Sequence, residues 1–151
     1  MTVLKSEEMK NAIMARLLQL APGVAVYKEA VTVPDYPHFF VHLIQAMDEE
    51  DRKNRHILTY SFDLRYRVAS DSSTDLRLEQ DLDAVAFKLM AGLNIIDCND
   101  VKIRMDDKRY EKVDGVLHFF CKVNMAVLDQ YDGVPEPKQM QLDVGFDTRR
   151  R

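Results

Sequence analysis

From Leu58 to Val68 the chain alternates without a break. Leu58, Tyr60, Phe62, Leu64, Tyr66 and Val68 are apolar or aromatic, and Thr59, Ser61, Asp63, Arg65 and Arg67 between them are polar. Strand side chains point to alternate faces, so this stretch predicts a β-strand with one face in a core and the other in water. A helix would scatter the same apolar residues around its circumference. On this reading Phe62→Ala truncates the core, whereas Asp63→Ala is a surface change worth no more than about 0.5 kcal/mol.

Two stretches carry helical spacing instead. Met9, Ile13, Leu17 and Leu20 recur on one face after Ser6 as N-cap, with Glu7 and Glu8 in the first turn, and Pro22-Gly23 stops the run. Leu78, Leu82, Val85, Leu89 and Leu93 mark a second helix, capped by Ser73 or Thr74. Gly92 and Asn94 stand at its end, where residues tolerant of left-handed backbone are expected.

The remaining alternations predict further strands. Val24–Val33 is a short one, and Pro34 and Pro37 bracket a bend. His38–Met47 has apolar residues on both faces, so it lies centrally in a sheet or has its second face covered by a partner. The charged run Asp48–Arg55 lacks glycine and predicts a projecting loop between two strands rather than a tight turn. Val101, Ile103 and Met105 alternate with Lys102 and Arg104. Asp114-Gly115 signals a hairpin from Arg109–Val113 into the strand Leu117–Leu128. Gly133–Pro137 reads as a stiff linker, followed by a final alternation of Met140, Leu142, Val144 and Phe146. The expected fold is α+β: a largely antiparallel sheet with two amphipathic helices packed on one face and a C-terminal extended arm. Residues 1–129 form the domain and 130–151 the arm.

Composition narrows the function. With 151 residues the chain suffices for one core without a staple. A net charge of −4 argues against a general nucleic-acid binder. The acidic start is unlike a signal peptide, and no apolar run approaches the roughly 20 residues of a membrane helix, which predicts a cytoplasmic protein with no membrane contact. Cys98 and Cys121 read as buried reduced thiols.

Candidate chemistry is sparse. His38 and His42 share a strand face but stand roughly 13 Å apart, too far to bind one metal ion. Asp97, Asp100, Asp106 and Asp107 lack calcium-loop spacing and read as turn formers. There is no nucleophile elbow and no Gly-rich phosphate loop. No catalytic residue, cofactor or metal site is expected. The candidate contact residues are Phe40, His42 and Ile44 on the two-sided strand, Arg52, Lys53 and Arg55 on the charged loop, and Met140, Leu142, Val144 and Phe146 on the arm. The loop is either a solvated tip or a surface that pairs with its own copy. The arm either adds a strand to a neighbour or folds back on its own domain. Arg149–Arg151 is a solvated tail or a phosphate contact.

Three segments together resemble one family: Pro34-Asp-Tyr-Pro-His-Phe-Phe-Val41, Tyr60-Ser-Phe-Asp-Leu-Arg-Tyr66, and Arg109-Tyr-Glu-Lys-Val-Asp-Gly-Val-Leu-His-Phe-Phe120. With the helix placements they are similar to the tail terminator, or tail completion, proteins of bacteriophages and prophages of Gram-positive bacteria. The similarity spans roughly residues 5 to 130 and its motifs are structural. It implies a subunit that forms a ring, typically a hexamer, on the head-proximal end of the tail tube. There the ring stops polymerisation and offers a surface to the head-tail connector and, in contractile tails, to the sheath. DNA would pass through the lumen without sequence-specific binding. The implied location is the host cytoplasm during assembly and then the virion tail. A cytoplasmic protein-interaction adaptor is the alternative from a different class, and a small-molecule enzyme comes third.

Overall fold

The computed structural model describes residues 5–69, 76–129 and 140–143. Its elements in chain order are α1 (Ser6–Leu20), β1 (Ala25–Tyr27), β2 (His38–Arg52), β3 (Arg55–Arg67), α2 (Leu76–Gly92), β4 (Ile95–Cys98), β5 (Val101–Val113), β6 (Val116–Asp129) and β7 (Met140–Asp143). The strand order is β1-β2-β3-β6-β5-β4, with β7 attached to β6. β1 runs parallel to β2, and every other pair is antiparallel. The caps expected at Ser73 or Thr74, the linker Gly133–Pro137, the end of the arm at Val144 and Phe146, and Arg149–Arg151 lie outside the described residues.

The expected α+β layering does not form. Strands take up 52% of the structure, six of them curl into a half-barrel, and the two helices lie against different strands of it rather than forming one clear layer. α1 lies against β1, β2 and β4, whereas α2 lies against β5 and β6. Two physical causes separate pattern from outcome. Residues 48–52 and 106–108 carry no apolar alternation, yet they extend β2 and β5. Bulges between Leu43 and Gln45 and between Asp106 and Arg109 then bend those strands. Bulges raise local twist, so the sheet curls.

The apolar positions nevertheless meet in one core. Met9, Ile13 and Leu17 of α1, Leu82 and Leu89 of α2, and Phe39, Phe62, Leu64 and Phe119 of the sheet are all buried. Tyr60 and Tyr66 join them on the same alternation of β3, and Leu58 and Val68 at its ends are only half-buried. The predicted strand Val24–Val33 shrinks to Ala25–Tyr27, which pairs only with His38–Phe40. Beyond Phe40 no described strand covers the outer edge of β2, so β2 is not central.

The charged run expected to loop out is instead a tight hairpin. β2 ends at Arg52, β3 begins at Arg55, and Asn54 takes φ 62° between them. Asparagine tolerates the left-handed region, and the bulge between Glu50 and Arg52 absorbs the twist that a glycine-free turn would impose. The hairpin predicted at Asp114-Gly115 forms with both residues left-handed, at φ 50° and 76°, the geometry of a type I′ turn. Gly115→Val should therefore cost about 1–2 kcal/mol, the usual left-handed penalty, read as a shift of the urea midpoint with an unchanged slope. An unshifted midpoint would show that the turn relaxes freely.

Helix ends also depart from expectation. α1 starts at Ser6 with Lys5 before it, and Glu8 accepts the Lys5 amide hydrogen at 2.8 Å. Gly92 does not take a left-handed cap. A Cβ there would meet Leu20 Cδ2 at 2.5 Å, so its bareness lets α1 and α2 approach. The last turn of α2 has no base of its own. Arg16 of α1 donates to the Gly92 carbonyl at 3.0 Å and Lys108 of β5 donates to the Met90 carbonyl at 3.0 Å. Positive charge there complements the helix dipole.

Candidate interaction face

The polar side of the β3 alternation is the outward side of the half-barrel, and register builds a grid on it. Arg65 stands between Phe40 of β2 and His118 of β6, and Asp63 between His42 and Phe120. One strand further, β5 places Glu111 beside His118 and Arg109 beside Phe120. Phe40 and His42 stack at 6.1 Å between ring centroids, and His118 and Phe120 at 6.2 Å. Arg109 lies over the Phe120 ring at 4.3 Å and Arg65 over Phe40 at 5.8 Å. Cations over aromatic faces are held in place electrostatically.

Asp63 sits at the centre and is not a surface residue. It is 5% exposed. Its Oδ2 accepts hydrogen bonds from Arg65 Nε at 3.1 Å and His118 Nδ1 at 3.0 Å. An ionised carboxylate only accepts, so Nδ1 of His118 carries the proton. Oδ1 has no hydrogen-bond partner among the described residues. Next to this grid lies a hollow of about 590 Å3 lined by Ile44, Gln45, Ser61, Arg109, Phe120 and Lys122. Aromatic rings and arginines are what protein interfaces enrich in their centres.

The expected contact residues divide into three places. Phe40 and His42 belong to the grid, and Ile44, half-exposed on the β2 bulge, rims the hollow. Arg52, Lys53 and Arg55 are at the far hairpin tip. Arg55 Nε stands 3.0 Å from Asp51 Oδ2 as an ion pair without a hydrogen bond, and Arg52 stands 3.8 Å from the same oxygen. Asp48 pairs with His56 at 3.1 Å. Asp48, Asp51, Arg52, Arg55 and His56 are thus paired within one hairpin, whereas Glu49, Glu50 and Lys53 form no ion pair among the described residues. Met140 and Leu142 lie on β7, paired with Asp129 and Val127 of their own β6. The structure does not bring the three groups together. Sequence reading missed Asp63, Arg65, Arg109, His118 and Phe120 as a unit. Phe120, an aromatic residue on the polar side of its own alternation, was the one available signal.

Other candidates resolve by position. His38 is buried, with Nδ1 3.0 Å from the Asp35 carbonyl oxygen. Asp100 does turn the chain, at φ 69°, but Asp97, Asp106 and Asp107 are strand residues, Asp107 with φ 52° in the β5 bulge. Asp97 pairs with Lys102 at 2.8 Å. Among the described residues no three potential metal ligands converge, and no helix is long and apolar enough to cross a membrane. Cys98 and Cys121 are buried and free, and burial raises both thiols, Cys121 to about 12. Lys112 of β5 bridges Glu79 and Asp83 of α2 at 2.9 Å each, and those hydrogen bonds raise its pKa.

The described residues thus form a small β-rich domain with an aromatic and cationic face on β2, β3, β5 and β6. A family model described as phage tail terminator protein matches residues 8–135, most of the chain, and the protein belongs to that family. It is therefore a phage tail protein, a structural component of the virion that takes part in tail assembly. No curated protein matches the chain.

Proposed function

We propose that the protein caps the head-proximal end of the tail tube as a homohexameric ring. There it ends tube polymerisation and presents the joining surface to the head-tail connector and, where one is present, to the sheath. The family membership over residues 8–135 carries this reading. It assembles in the host cytoplasm and remains in the virion tail, with DNA passing through a lumen that makes no sequence-specific contact. The net charge of −4 supports a conduit to which DNA does not stick. The contacts with other copies and with tail partners are made by Phe40, His42, Ile44, Arg52, Lys53, Arg55, Met140, Leu142, Val144 and Phe146, together with the grid around Asp63. It works without catalysis. Residues 1–129 act as the ring body and 130–151 as its arm.

The test is tube length. Tail tubes assembled without this protein should be overlong and variable in electron micrographs, and adding it should restore one length. Tubes of uniform, normal length in its absence would overturn the capping role and leave an adaptor as the better reading.

A further inference from the structure

At the tip of the β2–β3 hairpin, β6 and β7 continue the sheet beside β3. At this end the sheet is four strands wide, in the order β2-β3-β6-β7. Neither border of this extension has a strand partner among the described residues. β2 is unpaired on its outer edge beyond Phe40, and β7 pairs only with β6. β7 occupies the β6 edge that β5 has left, because β5 pairs with β6 only up to Met105–Val123 and then turns to β4. Unpaired strand edges are templates for another strand.

Strand direction decides which edge such a border can accept. β2 and β6 are both antiparallel to β3, and β7 is antiparallel to β6. β2 and β7 therefore run in opposite directions on opposite borders of the extension. Rotation about a ring axis preserves the sense of every strand along that axis. The β7 border of one copy thus meets the β2 border of the next in antiparallel orientation, which is the more favourable pairing. Joining two different patches head to tail is the arrangement that closes rings.

Charge and apolar surface fit the same occupant. Ile44 and Met47 are exposed on β2, and Glu49 and Glu50 beyond them have no ion-pair partner among the described residues. The sequence around β7, residues 136–151, carries Lys138 and Arg149–Arg151 against Glu136, Asp143 and Asp147, an excess of one positive charge.

We infer that β7 of one copy pairs with the free edge of β2 in a second copy, so that a continuous β-sheet runs around the ring. This rests on the ring proposed above and names its contact. The test is crosslinking of the full chain carrying Glu49→Cys and Gln141→Cys, mixed with tail tubes and treated with a flexible bismaleimide. Cys98 and Cys121 are buried, which keeps them out of the reaction. The double variant should give a ladder of covalent multimers on a denaturing gel, and each single variant should stay monomeric. If rings are seen on the tubes by negative stain but no ladder forms, the edge contact is wrong and the ring stands. Covalent dimers from Glu49→Cys alone would mean that β2 pairs with β2, which also overturns the inference. If no ring forms with unmodified protein, the ring and its contact fall together.

Discussion

Phe62→Ala should lower the free energy of unfolding by about 3–5 kcal/mol, the cost of truncating a buried phenylalanine that leaves a cavity. Phe62 is fully buried on β3, with Leu43 of β2 opposite on one side and Cys121 of β6 on the other. Both neighbours are held by ladder hydrogen bonds, so the backbone cannot close over the space. Phe62→Leu keeps most of the volume and should cost clearly less. Urea denaturation of the two variants checks this. Equal midpoints for the wild type and Phe62→Ala would mean that the core is not packed around this ring.

Asp63→Ala should cost about 1–3 kcal/mol, the loss of the hydrogen bonds that a buried carboxylate accepts from two partly exposed donors. Position parity alone predicts a negligible surface change here, and the structure reverses that expectation. The carboxylate is the shared acceptor for Arg65 and His118, and both donors lose it together. A cycle of Asp63→Ala, His118→Ala and the double variant should show coupling of about 0.5–3 kcal/mol, as expected for residues in one network. Additive costs would show that the two side chains do not act on each other. Because Arg65 also leans on Phe40, the same variant should loosen the aromatic grid, visible as altered near-UV circular dichroism with an unchanged far-UV spectrum.

Much of the core was legible residue by residue. The alternation at Tyr60, Phe62, Leu64 and Tyr66 marked the buried face of β3, and Met9, Ile13 and Leu17 marked that of α1. Asp114-Gly115 specified its turn because few residues accept left-handed backbone at both positions. The segments around Pro34, Tyr60 and Arg109 pointed to the tail terminator family, and the family match bears that out. These features are local. Each depends on side-chain period or on backbone freedom within a few residues.

What the tertiary structure decided depends on neighbours far away in the chain. The strand content of 48–52 comes from pairing with β3, and β5 runs on through its bulge because Asp106 and Arg109 on either side pair with β6, which no apolar pattern records. The bulges in β2 and β5 bend those strands, and in the resulting half-barrel α1 lies against β1, β2 and β4 while α2 lies against β5 and β6. Gly92 is bare because of Leu20, far earlier in the chain, and not because of its own φ. Asp63 reads as solvated by alternation and is buried, because flanking strands bring His42, His118 and Phe120 around it. Sequence by itself determined which side chains leave water and which family the chain joins. Which polar side chains are drawn in with them was decided only when β2, β3 and β6 came into register, because register sets the cross-strand neighbours of every residue.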